Sequence, residues 1–377
     1  MTTTKKIRDF LAERRPTPYM VVDLDVVADN YRRLRDAVPQ AGIYYAIKAN
    51  PAPEILDSLA KLGSSFDTAS VAEVDMALRA GVTADRISYG NTIKKKADIA
   101  AAYARGVRLF AFDSEAELEK LAAAAPGAKV FCRILTSGAG ADWPLSRKFG
   151  CDPEMARELL IAAAGKGVVP HGVSFHVGSQ MKDVNAWDEA VAQAAWIFRE
   201  CEDAGVSLNM LNMGGGFPTK YRKDIPAMGS YGEAIHAALA RHFGNRVPEI
   251  IVEPGRQMEG NAGTIDTEDV LVSRKSKKEQ RRWVYLDIGK FGGLAETMDE
   301  AIQYPIVSAK KGSKVERVVL AGPTCDSADV LYEKADYRLP VDLEPGDRLE
   351  IRSAGAYTTT YSSVAFNGFE PLKCFCI

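Results

Sequence analysis

No CxxC pair occurs among the six cysteines, so reduced thiols in a cytoplasmic chain are expected, not a disulfide framework. Histidine is scarcer still: four residues, none at HxxxH or HExxH spacing, which argues against a protein-built metal site. No stretch of 18 apolar residues occurs, and the opening MTTTKKIRDFLAERRPTPYM has no apolar core of signal-peptide type. Neither a membrane span nor an export signal is therefore expected. An excess of one charge is missing as well. Forty-eight basic against fifty acidic side chains give a net charge of −2, without the electrostatic footprint of nucleic-acid or anionic-membrane binding. What remains is an ordinary globular balance, 46% apolar and 26% charged, over 377 residues, enough for two or three domains.

Short β-branched or aromatic runs alternate with longer segments of helical period. The pattern predicts strands over Ile43–Ala49, Ser65–Thr68, Ile87–Asn91, Arg108–Asp113, Lys129–Leu135, Gly172–Gly178, Leu208–Gly214 and Glu249–Glu253. Gly after Leu62, Ala80, Arg105 and Ala204 suits the residue that ends a helix. Eight βα repeats point to a closed (β/α)8 barrel over residues 24–258. Beyond Met258 the helices stop. DVLVSRKS, RRWVYLDIG, KVERVVLAG and DRLEIRSAG read as an antiparallel β domain over 259–377, joined by residues 1–23 through the strand-like PYMVVDLD.

Chemically unusual residues gather at the C-terminal ends of the predicted barrel strands, the face where such barrels build active sites. Lys48 ends the first strand, Asp67 the second and Asn91 the third; Arg133 lies late in the fifth and His176 in the sixth. Gly214, Gly215 and Gly216 follow the seventh, and Glu253 with Gly255 and Arg256 closes the eighth. Singly, each has a bland alternative: a snorkelling lysine, a core histidine, a plain turn, a structural ion pair. Together they suggest more. The apolar neighbours of Lys48 predict a desolvated amine with a lowered pKa, suited to Schiff-base chemistry. A glycine loop after a strand offers backbone N–H groups to a phosphate. His176 offers a flat ring, and Glu253 a carboxylate able to keep a pyridine nitrogen protonated.

YYAIKANP, FDTAS, SFHVGSQ, NMGGGFP, VEPGR, GPTCDSADVL and GAYTTTYSSVAFNGF, in this order over about residues 40–370, resemble the fold-type III pyridoxal-phosphate decarboxylases of the ornithine decarboxylase group. The resemblance implies pyridoxal 5′-phosphate as cofactor, an amino acid as substrate and a head-to-tail homodimer with shared active sites. It implies that Lys48 binds the cofactor's aldehyde, His176 stacks on its ring and Glu253 meets its ring nitrogen. Asp67, Glu73 and Arg133 would line the pocket; Ser179, Gly214, Gly215, Gly216, Gly255, Arg256 and Tyr357 would serve the phosphate end. Cys325, entering from the partner subunit, would return a proton to the α-carbon. Asp326 would face the distal ammonium of the substrate, with Phe366 beside it. A second acidic residue of the eukaryotic enzymes maps to Ile288, leaving Asp287 one position away and lysine as a possible substrate besides ornithine. The expected reaction is ornithine to putrescine, with lysine to cadaverine open. Diaminopimelate decarboxylase, whose pattern has Glu after the cysteine, is the rival reading. A non-catalytic regulatory homologue is the other.

Overall fold

The computed structural model describes residues 3–143, 147–310 and 314–377. Two compact units are present: one comprises residues 28–218 and 225–255, the other 1–27, 219–224 and 256–377.

The first unit is a closed parallel barrel of eight strands. In chain order these are β1 (Ala41–Ala46), β2 (Ser65–Thr68), β3 (Ile87–Tyr89), β4 (Leu109–Phe112), β5 (Lys129–Arg133), β6 (Val169–Ser174), β7 (Met210–Asn212) and β8 (Glu249–Val252). Every predicted strand is there, mostly shorter at its C-terminal end. Gly63, Gly81, Gly106 and Gly205 follow helices with φ of 98°, 87°, 95° and 81°, the left-handed conformation that ends a helix cheaply only in glycine. Tyr44, Ala111, Phe131, Met210 and Ile251, from five strands, fill the barrel with a buried cluster. This is a packed core rather than a pore, so the chemistry is confined to the barrel ends. After β5 and β6 the chain forms a two-stranded antiparallel ribbon, Ala141–Trp143 against Ser179–Met181.

The second unit is a β-sheet. Its centre is the long strand Gly263–Ser273, whose first half pairs with Arg348–Arg352 and whose second half pairs with Arg282–Leu286, both antiparallel. Tyr19–Val22 pairs antiparallel with the start of that strand, as PYMVVDLD suggested. The sheet is not purely antiparallel: Arg282–Leu286 runs parallel to Val315–Ala321, and Tyr19–Val22 runs parallel to Lys373–Cys376. Alternation of side chains identifies a strand's buried face but is silent on the direction of its neighbour, so these pairings were not legible. Among the described residues no helix is long and apolar enough to cross a membrane.

At the bulge between Asp269 and Leu271 the Asp269 carboxylate is fully buried. Burial raises its pKa to about 6, with the Leu271 amide and Arg282 offsetting part of the effect and Asp347 adding to it. The folded carboxyl is thus easier to protonate than the unfolded one. Its contribution favours folding at low pH and is lost as pH rises from about 4 to about 6. At neutral pH the cost reaches up to about 3 kcal/mol. Asp269→Asn removes the charge, so the variant should melt a few degrees above wild type at pH 7.5. The gap should close near pH 4. Equal melting temperatures at both pH values would refute this account.

Candidate active site at the barrel mouth

The first strand ends early. The Ala46 N–H donates to the Pro254 carbonyl at 3.0 Å, and Ile47–Ala49 then form a 3₁₀ turn. The Tyr45 hydroxyl ties the turn down through the Asn50 carbonyl at 2.9 Å, and Pro53 opens the next helix. Lys48 consequently projects from a turn and is exposed, not desolvated within a strand as expected. Its apolar neighbours Tyr44, Tyr45, Ala46 and Ile47 are buried, while Lys48 itself leaves their layer. Its charge still bears on Asp67, Glu73 and His176.

Asp67 is buried on β2 and accepts from the Ser88 hydroxyl of β3 at 2.8 Å. Burial and the nearby Glu253 carboxylate push its pKa well up, against the pull of Lys48. A Cβ on Gly90 would lie 2.2 Å from Asp67 Oδ1, so a side chain there would push the Asp67 carboxylate out of place. Glu73 caps the following helix: its amide donates to Ser70 Oγ, and its carboxylate accepts from the Ala69 N–H at 2.6 Å. Burial raises its pKa, with that N–H and Lys48 opposing. Asn91 serves its own loop, accepting from the Ile93 amide and from Lys94 Nζ. Arg133 closes β5 with its guanidinium 5.3 Å from the Phe149 ring.

His176 follows β6, and its Nδ1 accepts from the Gly178 N–H at 2.9 Å. An accepting Nδ1 carries no proton. Burial, then Arg133 and Lys48, also hold the pKa well below the usual histidine range. The ring is therefore a neutral imidazole, apolar enough on its faces to lie against another flat ring. Beside it runs the glycine loop. A Cβ on Gly214 would come within 2.2 Å of the Phe175 carbonyl, one on Gly215 within 2.6 Å of the Glu253 carbonyl, and one on Gly216 within 2.7 Å of the Gly178 carbonyl. Three backbone segments meet too closely for any side chain, which leaves a cradle of main-chain groups. Ser179 begins the ribbon strand at the same barrel end. Glu253 and Gly255 follow β8.

The remaining predicted residues lie in the β unit. Arg256 opens a short helix, is buried, and donates to both carboxylate oxygens of Glu296 at 2.5 and 2.6 Å and to the Tyr221 hydroxyl at 2.8 Å. Its guanidinium lies 4.8 Å from the Tyr357 ring. Cys325 is exposed, as its polar surroundings suggested, and its amide donates to Asn367 Oδ1 at 2.9 Å. Asp329 steadies that loop: its buried carboxylate accepts from the Thr324 amide and hydroxyl and from the Lys290 amide. Asp326 is exposed and accepts from the Ala328 amide at 2.8 Å. A cavity of about 200 Å³ beside the loop is lined by Asp287, Phe291, Thr324, Phe366 and Phe369, with Phe366 stacked on Phe291 at 4.6 Å. One Asp287 oxygen is already engaged by the Thr267 hydroxyl and the Glu268 amide. Ile288 is buried.

Ser88, Asn212, Glu296, Asp329 and Asn367 were not foreseen. Asn212 had a signal, a polar residue directly before Met-Gly-Gly-Gly at a strand end. Glu296 had none, being forty positions from the arginine it holds. Among the described residues no cluster of three or more His, Cys, Asp or Glu is placed to hold a metal ion. A neutral flat ring, a glycine cradle and a carboxylate at one barrel end do suit an aromatic phosphate ester.

Comparison with known proteins identifies that ester. Residues 24–260 match the model of the pyridoxal-dependent decarboxylase family, pyridoxal binding domain. The lysine/ornithine decarboxylase of Selenomonas ruminantium is 39% identical over 360 residues, 95% of this chain and 89% of that protein. A solved structure of SrLDC in complex with PLP and cadaverine is similar at a TM-score of 0.89 and 36% identity, covering 100% of this chain and 94% of that one. The lysine/ornithine decarboxylase of Vibrio vulnificus, complexed with cadaverine, reaches a TM-score of 0.90 at 31% identity over 100% of both chains.

Proposed function

Because the chain belongs to the pyridoxal-dependent decarboxylase family, with pyridoxal phosphate as its cofactor, we propose that it converts L-ornithine to putrescine and accepts L-lysine as a second substrate, giving cadaverine. The observation that carries this reading is the acidic residue next to the exposed thiol: Asp326, one position after Cys325, offers a carboxylate to a plain distal ammonium. The names of the related enzymes from Selenomonas and Vibrio support both substrates.

Residue roles follow from chemistry. Lys48 would hold the cofactor through its aldehyde, and the neutral His176 would lie against its ring. Glu253 holds a proton at the ring nitrogen, while the glycine loop, Ser179, Gly255, Arg256 and Tyr357 serve the phosphate. Asp67, Glu73 and Arg133 set the charge around Lys48. The bound cofactor supplies the electron sink that loss of carbon dioxide requires. Cys325 of the partner subunit delivers the proton to the α-carbon, and Asp326 of the partner subunit orients the substrate through its ammonium. Phe366 packs against the substrate's methylenes, and Asp287 borders the same cavity. The working form is a head-to-tail homodimer, and the chain acts in polyamine synthesis in the cytoplasm.

The test is to offer the purified protein ornithine, lysine, arginine and meso-diaminopimelate with PLP and identify each product by mass spectrometry. Putrescine and cadaverine are expected. Lysine formed from meso-diaminopimelate would overturn the assignment in favour of the rival decarboxylase, and no product from any substrate would favour a non-catalytic homologue. In the same assay Asp326→Asn should lower kcat/KM for ornithine roughly 10- to 150-fold, the scale of one lost charge-assisted hydrogen bond. An unchanged value would place the ammonium elsewhere.

A further inference from the structure

We propose that Asn212 is a positioning residue that couples the ring-nitrogen end of the cofactor site to the phosphate end. Asn212 is the last residue of β7 and is fully buried. Its Oδ1 accepts from the Gly214 N–H at 2.9 Å, and its Nδ2 donates to Glu253 Oε1. The amide can sit in one orientation only. The Gly214 N–H is a donor, so it must face the oxygen, which turns the NH₂ toward Glu253. The backbone repeats the link: the Glu253 N–H donates to the Gly214 carbonyl at 2.8 Å. One side chain therefore sets the first turn of the glycine loop and presents a donor, never an acceptor, to Glu253.

This has a consequence for chemistry. A donor at Oε1 fixes the rotation of the Glu253 carboxylate and leaves the other oxygen for a second donor, which a protonated ring nitrogen is. The Gly214 N–H, by contrast, is spent on Asn212, so Gly214 shapes the cradle and the later loop residues face the phosphate. Other charged groups bear on the same carboxylate or on its neighbours: Asp67 from β2, Arg133 from β5, and Lys48 and His176 from the loops after β1 and β6. None of the four replaces the Gly214 contact.

Two variants separate the two ends. Asn212→Asp keeps an acceptor for Gly214 but sets a carboxylate against a carboxylate, and two such groups in contact share one proton. Asn212→Ala loses both contacts. The inference rests on the proposed role of Glu253, so Glu253→Gln is the control. Readouts are the near-visible absorbance of the holoenzyme against pH, PLP affinity of the apoenzyme, and kcat and KM separately. Circular dichroism confirms that each variant is folded.

For Asn212→Asp, the pH at which the cofactor band changes should move by about one unit or more. Its kcat should fall about tenfold between pH 6.5 and pH 8.5 relative to wild type, with KM nearly unchanged. For Asn212→Ala, PLP affinity should fall about tenfold or more at every pH, the scale of one lost hydrogen bond in a buried site. If Glu253→Gln alters the band but Asn212→Asp leaves band, pH profile and kcat as in wild type, the coupling is wrong. If Glu253→Gln alters nothing, the role given to Glu253 fails first. Should Asn212→Asp not fold, wild-type PLP affinity in Asn212→Ala would by itself overturn the proposal.

Discussion

Lys48→Ala is expected to reduce amine formation by roughly a thousandfold or more, the scale on which loss of a covalent catalyst acts. The fold should survive. Lys48 projects from a turn after β1, and the contacts that shape the turn belong to Ala46 and Tyr45. PLP should still bind through the glycine cradle, but more weakly. The variant also loses the positive charge that opposes burial at Asp67 and Glu73, so both carboxyls become easier to protonate. Borohydride treatment of the wild type should leave the cofactor on the peptide containing Lys48. Label on a different lysine would displace it from the centre of the mechanism.

Mixing two inactive variants should restore activity. Neither Lys48→Ala nor Cys325→Ala homodimers should turn over well. Co-refolding equal amounts gives about half heterodimers by random pairing. If each site takes Lys48 from one chain and Cys325 from the other, as proposed, one site of a heterodimer collects both defects and the other is intact. Recovered activity should approach roughly a quarter of wild type, on that two-fold symmetry. If both residues served a site within one chain, mixing would add nothing to the two backgrounds.

The barrel was largely legible because its information is local. Each strand is a short apolar run, helix-ending glycines such as Gly63 sit where the chain reverses, and parallel strands follow one another in chain order. Lys48 was singled out from the sequence, but its environment differs from that expected: the sequence shows Tyr44, Tyr45 and Ile47 around it but not the bond from Ala46 to Pro254 that ends the strand. The β unit was less legible. One of its parallel pairs joins Tyr19–Val22 to the distant Lys373–Cys376, and no periodicity records which strand lies beside which or in what direction. The residues missed at the site share that property. Ser88, Glu296 and Asp329 act by holding another side chain or loop, and the partners Asp67, Arg256 and Lys290 are brought to them by the fold, not by proximity in sequence.

The way the β unit is assembled also dictates an order of events in time. Its strand Tyr19–Val22 is made early, yet its two partners begin at Gly263 and Lys373. About 240 residues, including the whole barrel, are synthesised before the first partner exists, which at roughly 5–20 residues per second takes on the order of 12–50 s. During that interval four residues of high β-propensity, YMVV, wait with both edges unpaired. The barrel can close first, since residues 28–255 contain all eight of its strands. The sheet cannot be completed until its strands from Gly263 onward have been made. If the barrel folds as it is made, the emerging chain carries a closed barrel beside an unfinished sheet, and agents that shield short apolar strands should then affect the yield of this protein more than the rate at which its barrel folds.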